Sequence, residues 1–233
     1  MGDISMALLY FVVFLFSTTL HEAGHAWAAL RLGDPTAYRG GQVSLDPMPH
    51  IRREPFGMVV LPLMSALITG WPFGYASAPY DPQWARRHPD RAGWMALAGP
   101  AANLLLVLIA ALCLRAGAMG GVFVAPESVR FGSIAESAAG GTWHAIGVVL
   151  SVLFSLNLLL FAFNLLPFPP LDGSAALLLL LSRGTAAKYQ DFMWSSPMVG
   201  LAGILIAWKL FDFVFDPIFV AAVNLLYPGV RYG

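Results

Sequence analysis

The sequence predicts an all-α integral membrane protein, a multi-span helical bundle forming one domain over residues 1–233. Three observations carry this expectation. Hydrophobic residues make up 58% of the 233 residues and charged ones only 11%, where a soluble domain has about 25% charged, and mean hydropathy is +0.70. Uncharged runs long enough to cross about 30 Å of hydrocarbon recur along the chain. Trp71, Trp84, Trp94, Trp143 and Trp208 fall at the edges of those runs, as an aromatic belt does. The formal net charge is zero, so nothing points to nucleic acid. A single cysteine, Cys113, excludes an intrachain disulfide and any multi-cysteine zinc site.

Taken in order, residues 4–30 form the first span, stopped by Gly33-Asp34-Pro35. The N-terminus lacks the basic region of a secretory signal, so this run reads as a retained span. Arg31 to Glu54 is a polar loop with four arginines. Residues 55–80 are uncharged but interrupted by Pro62, Gly70, Pro72, Gly74 and Pro79, which suits a re-entrant or broken span better than a straight helix. Residues 92–114 are a clean span, followed by a Gly-rich loop over 117–142. Residues 144–172 form a further span that ends in Pro167-Phe168-Pro169-Pro170-Leu171-Asp172-Gly173. Residues 192–209 can span with Lys209 snorkelling at the end, and residues 218–227 suit a short interfacial helix. The total is about four full spans.

Charge gives an orientation. If 55–80 dips in and returns, one side holds Arg31, Arg39, Arg52, Arg53, Arg86, Arg87, Arg91, Arg183 and Lys188. Positive residues favour the cytoplasm, which places the N-terminus outside and the ends of the first and 144–172 spans toward the cytoplasmic face.

His21-Glu22-Ala23-Gly24-His25 lies near the end of the first run. On a helix, residues four apart share a face, so both imidazoles can reach one ion, with Glu22 beside them to take a proton from a water activated by that ion. The pattern fixes only three residues and recurs by chance. In a membrane span, however, such groups cost roughly 3 kcal/mol each when ionised, and they mark function. A structural polar cluster is the competing reading. A catalytic zinc site has three protein ligands and an open position. Asp172, after the Pro-rich break, could turn its carboxylate inward as the third ligand or could equally cap the helix that follows. Asn103 and Asn164 are amides in apolar spans; they could hold an unwound substrate strand or an oxyanion, or tie helices together. His50, in Pro47-Met48-Pro49-His50, reads as a surface histidine or a gate near the metal.

Three blocks, His21-Glu22-Ala23-Gly24-His25, Ala98-Gly99-Pro100-Ala101-Ala102-Asn103 and Phe163-Asn164-Leu165-Leu166-Pro167-Phe168-Pro169-Pro170-Leu171-Asp172-Gly173, resemble the site-2 protease family of intramembrane zinc metalloproteases. The resemblance covers most of the chain, in a small form without a PDZ or CBS module. It implies one zinc ion held by His21, His25 and Asp172, with Glu22 as general base. It also implies a transmembrane protein substrate cut in or near its membrane segment, and residence in the cell membrane, here that of a prokaryote. Two other readings stand beside it: a zinc-binding adaptor that does not cut peptides, and a small ion transporter using His21, Glu22 and Asp172 as its pathway. Internal repeats would favour the transporter, and none is visible. The oligomeric state is not legible.

Overall fold

The computed structural model describes residues 3–233, and among these four helices are long and apolar enough to cross a membrane: Ile4–Leu32, Pro89–Met119, Gly141–Asn164 and Pro197–Leu226. The expected multi-span all-α bundle is borne out. In chain order the helices are α1 (Asp3–Leu32), α2 (Thr36–Arg39), α3 (Pro47–Arg53), α4 (Leu61–Thr69, entered through a wide turn at Phe56–Val60), α5 (Pro82–Arg87) and α6 (Pro89–Met119). They continue with α7 (Gly141–Asn164), α8 (Asp172–Ala176), α9 (Arg183–Trp194) and α10 (Pro197–Leu226). The loop between α6 and α7 carries a two-stranded antiparallel ribbon, β1 (Phe123–Val124) with β2 (Glu136–Ser137).

Helix α1 stops where the sequence says it should. Gly33 takes φ +104, a left-handed geometry open to glycine, and Pro35 cannot continue the ladder. Between them Asp34 is buried, its carboxylate accepting from the Thr36 backbone N–H (3.0 Å), the Thr36 hydroxyl and, across the fold, the Asp81 N–H (2.8 Å). One carboxylate therefore ties the α1–α2 turn to the start of α5.

Helices α1, α6 and α7 pack on one another and form the centre; α10 lies against α7 and α9. The two ends differ. At one, Ala29, Trp84, Ala85 and Met95 form a small cluster, the Arg91 guanidinium donates to Leu32 O (3.0 Å) and Arg86 pairs with Asp191. At the other, Leu114, Phe123, Ile134, Phe154, Phe215 and Tyr227 belong to the largest apolar cluster, and Arg115 donates to Leu226 O (3.1 Å).

Residues 55–80 double back on themselves. Gly70 at φ +76 ends α4 and turns the chain. The strand-like return then runs beside the way in: the Tyr75 N–H donates to Gly57 O (3.1 Å), Arg53 Nε to Ser77 O (3.0 Å) and the Ser77 hydroxyl to Glu54 (2.9 Å). Ser77 thus ends next to the residues from which the segment set out.

Three expectations need correction. The stretches 192–209 and 218–227 are not a span and a separate interfacial helix. The break falls earlier, at Ser195-Ser196, where the Ser196 hydroxyl accepts from the Met198 N–H (3.2 Å) and Pro197 opens α10. The helix then continues through Pro217, because Phe211, Phe215, Phe219 and Val223 recur every fourth residue and all pack on the same cluster. A proline removes one donor; it does not undo that stripe. Likewise Trp84, expected in the aromatic belt, is buried, and His50, expected at the surface, is buried with Nε2 at 3.0 Å from Ser44 O inside its own loop.

Candidate metal centre

The H-E-x-x-H residues sit on the face of α1 that α6 covers. The backbones come close there because the contact is built from small residues: a side chain at Gly24 would meet Ala98 O at 2.9 Å. Gly99 matters more. A Cβ at that position would overlap Nε2 of both His21 and His25. The glycine in Ala98-Gly99-Pro100 therefore leaves free the space into which the imidazoles point, a role that sequence spacing did not disclose.

Within that space the ligand atoms of His21, Glu22 and His25 lie within 4.8 Å of one another, and all three residues are buried. Asp172 joins them from the far end of the chain. It is the first residue of α8, and no side chain caps that helix. Its carboxylate faces the imidazoles, at 3.0 Å from His21 Nε2 and 3.2 Å from His25 Nε2.

The outer nitrogens of both rings are engaged. His25 Nδ1 lies 2.8 Å from Met95 O, and His21 Nδ1 lies 2.6 Å from Asn103 Oδ1. Both partners only accept, so both Nδ1 atoms carry hydrogen and a neutral ring presents a bare Nε2. Those two Nε2 atoms stand 3.0 Å apart. Two nitrogen lone pairs and a carboxylate converging without a donor between them repel, unless a cation lies among them. Glu22 Oε2 and Asp172 Oδ2 are also buried without hydrogen-bond partners. Asp172 Oδ2 is close to His21, but not in hydrogen-bond geometry. The donor set, two imidazoles and one carboxylate at tetrahedral-site reach, fits zinc.

Other singled-out residues fall elsewhere. Asn103 is fully buried, its carbonyl on His21 and its NH2 donating to Asn157 Oδ1 (2.9 Å). Asn164, the last residue of α7, is half-buried and donates to Leu160 O (2.9 Å) on its own helix. Asn157 was missed by sequence reading; its signal, a lone amide in an apolar span, was the one that drew attention to Asn103 and Asn164.

The fold and cluster define a class: a multi-span membrane protein with a buried His-Glu-His group that could hold one metal ion. Comparison then gives the family. The profile of Peptidase family M50 matches residues 9–207, and the chain belongs to that family. It is a zinc metallopeptidase of the site-2 protease type. The chain is similar to YwhC of Bacillus subtilis (strain 168), 30% identical over 226 residues that cover 89% of this chain and 92% of that protein. It also resembles Rip2 of Mycolicibacterium smegmatis, 29% identical over 75% of this chain and 58% of that protein. Rip2 of Mycobacterium tuberculosis (strain ATCC 25618 / H37Rv) is 32% identical over 70% of this chain and 53% of its own length. All three are provisionally named zinc metalloproteases. No solved structure matches.

Proposed function

We propose that this chain hydrolyses peptide bonds in or near the transmembrane segments of other membrane proteins, with His21, His25 and Asp172 holding the zinc and Glu22 acting as general base. The observation that carries the reading is the convergence of both Nε2 atoms and the Asp172 carboxylate on one buried point, with Glu22 unpartnered beside them. An ion pathway needs no such closed ligand set, and an adaptor needs no free base next to it.

Zinc, when bound, supplies a Lewis acid that lowers the pKa of water and polarises a carbonyl oxygen. The chain's own residues do the rest. Glu22 Oε2, with no hydrogen bond to give up, accepts the proton of the attacking water and returns it to the leaving amine. The neighbouring helices exclude bulk water, so the carboxylate works in a low dielectric. A substrate helix must unwind to offer a peptide bond, and the reading gives Asn164, half-buried at the end of α7, the role of holding such a strand. Asn103 instead holds His21. Replacing Glu22 by Gln keeps shape and removes basicity. Glu22→Gln should retain full zinc while cleavage of a single-span substrate co-reconstituted in vesicles falls at least about 100-fold. Residual cleavage near the wild-type rate would assign the base to another group.

The same reading puts the protein in the cell membrane of a prokaryote, N-terminus outside, with the site toward the cytoplasmic face. Support comes from the arginines: Arg31, Arg53, Arg86 and Arg91 gather at the end where α1 stops and residues 55–80 return. In a Cys113→Ser background, cysteines replacing exposed Leu45 and Gln83 should react with an impermeant maleimide from one side and a cysteine replacing Ser128 from the other. Labelling of Leu45→Cys and Gln83→Cys from opposite sides would make 55–80 a true span.

A further inference from the structure

We infer that Asn157, on α7, is a positioning residue for the metal site: acting through Asn103, it fixes which nitrogen of His21 carries the proton. The inference rests on the proposed zinc ligation by His21.

The argument runs along a chain of hydrogen bonds in which each orientation dictates the next. Leu153 O is a backbone carbonyl and can only accept. The Asn157 atom 2.8 Å from it must therefore be the NH2 nitrogen, which also reaches Ser17 Oγ on α1 at 2.9 Å. With its NH2 turned that way, Asn157 points its carbonyl oxygen at Asn103. An oxygen at 2.9 Å demands a donor, so Asn103 must offer its NH2 there and present its own oxygen to His21 Nδ1 at 2.6 Å. That oxygen cannot donate, so Nδ1 bears the hydrogen. Nε2 is left bare, as a metal ligand must be.

The relay begins at a group that cannot flip and ends at the ring that must not. Asn103, Asn157 and Ser17 are each fully buried, so no water competes for these bonds. His25 needs no relay, because Met95 O faces its Nδ1 directly. One ligand is held by the main chain at first hand; the other is held through two amides spanning three helices. Without the Asn157 oxygen, Asn103 is free to rotate, turn its NH2 toward His21 and select the tautomer whose Nε2 carries hydrogen. The plain alternative is that Asn157 only fastens α7 to α1 and α6.

The test separates these by rescue. Asn157→Leu should weaken zinc binding about 10- to 100-fold, read by chelator competition on purified detergent-solubilised protein. Adding Asn103→Asp should restore it, because a carboxylate has no donor end and accepts from His21 Nδ1–H in either orientation. Asn103→Asp/Asn157→Leu should thus bind zinc within a few-fold of Asn103→Asp alone. A double variant as weak as Asn157→Leu overturns the relay and leaves Asn157 a helix tie, and so does an unchanged affinity in Asn157→Leu. Should Asn157→Leu fail to fold, nitrogen-15 NMR of metal-free wild-type protein decides: His21 is expected as the Nδ1–H tautomer, and an Nε2–H signal overturns the relay. Failure of the functional reading looks different, since wild-type protein would then bind no stoichiometric zinc whatever tautomer His21 shows.

Discussion

Helices α6 and α10 are alike in length, 31 and 30 residues, in apolar composition and in carrying an internal proline. Eleven residues of α6 are buried, and five of α10. The difference lies in what each packs with. Helix α6 meets α1 through Gly99, Ala98 and Ala102 around Gly24, a contact in which backbone nearly touches backbone and no side chain can be added. Helix α10 packs through large aromatics: Phe163 of α7 sits edge-on to Phe211 at 5.2 Å, Phe131 of the α6–α7 loop stacks on Phe219 at 6.0 Å, and Phe211 stacks on Phe215 within α10 at 5.0 Å. Small residues fix the distance between helices to within a few tenths of an ångström; aromatics fill volume and tolerate adjustment. Chemistry that needs ligand atoms in register is built on the first kind of contact.

The largest effect expected from that contrast is at Gly99. Gly99→Ala adds only a methyl, yet it lands on both Nε2 atoms, so zinc affinity should fall at least about 100-fold while the helical bundle persists. Metal analysis beside circular dichroism checks it; full zinc content would show that α6 does not line the centre. A smaller and opposite effect belongs to α10. Phe215→Ala should cost about 3 kcal/mol of stability and lower Tm in detergent without changing zinc affinity, whereas Leu205→Ala, on the exposed face, should shift stability by less than about 0.5 kcal/mol. Loss of zinc in Phe215→Ala would erase the distinction between the two helices.

Much of this was legible beforehand, and the residues show why. The spans follow from hydropathy, and the His21–His25 pairing follows from helical periodicity, both local properties. The turn after α4 was readable from Gly70, which takes the left-handed conformation that ends the helix, whereas Pro62 lies inside the continuous helix Phe56–Thr69 and breaks nothing. What the sequence hid depends on contact between distant segments. Asp172 could face inward or cap α8 on local grounds, and only its approach to α1 turns its carboxylate to the histidines. Asn103 and Asn164 look alike in sequence; burial against Asn157 takes one into the bundle, while the end of α7 leaves the other half-exposed. The continuation of α10 past Lys209 was hidden, because the cluster against which Phe211, Phe215 and Phe219 pack is built from distant segments.

The site draws Ser17, His21, Glu22 and His25 from the first helix, Gly99 and Asn103 from the next span, Asn157 from the third and Asp172 from beyond it. During synthesis these pieces enter the bilayer in that order. A ribosome-bound chain that has delivered only its first helix has two imidazoles and a carboxylate, but neither the amides that orient His21 nor the last acidic group. It reaches its finished form only after three helices are inserted and the chain has passed the Pro-rich turn. Assembly order thus acts as a delay: on the proposed reading, the chain is threaded through the insertion machinery before its metal site is complete.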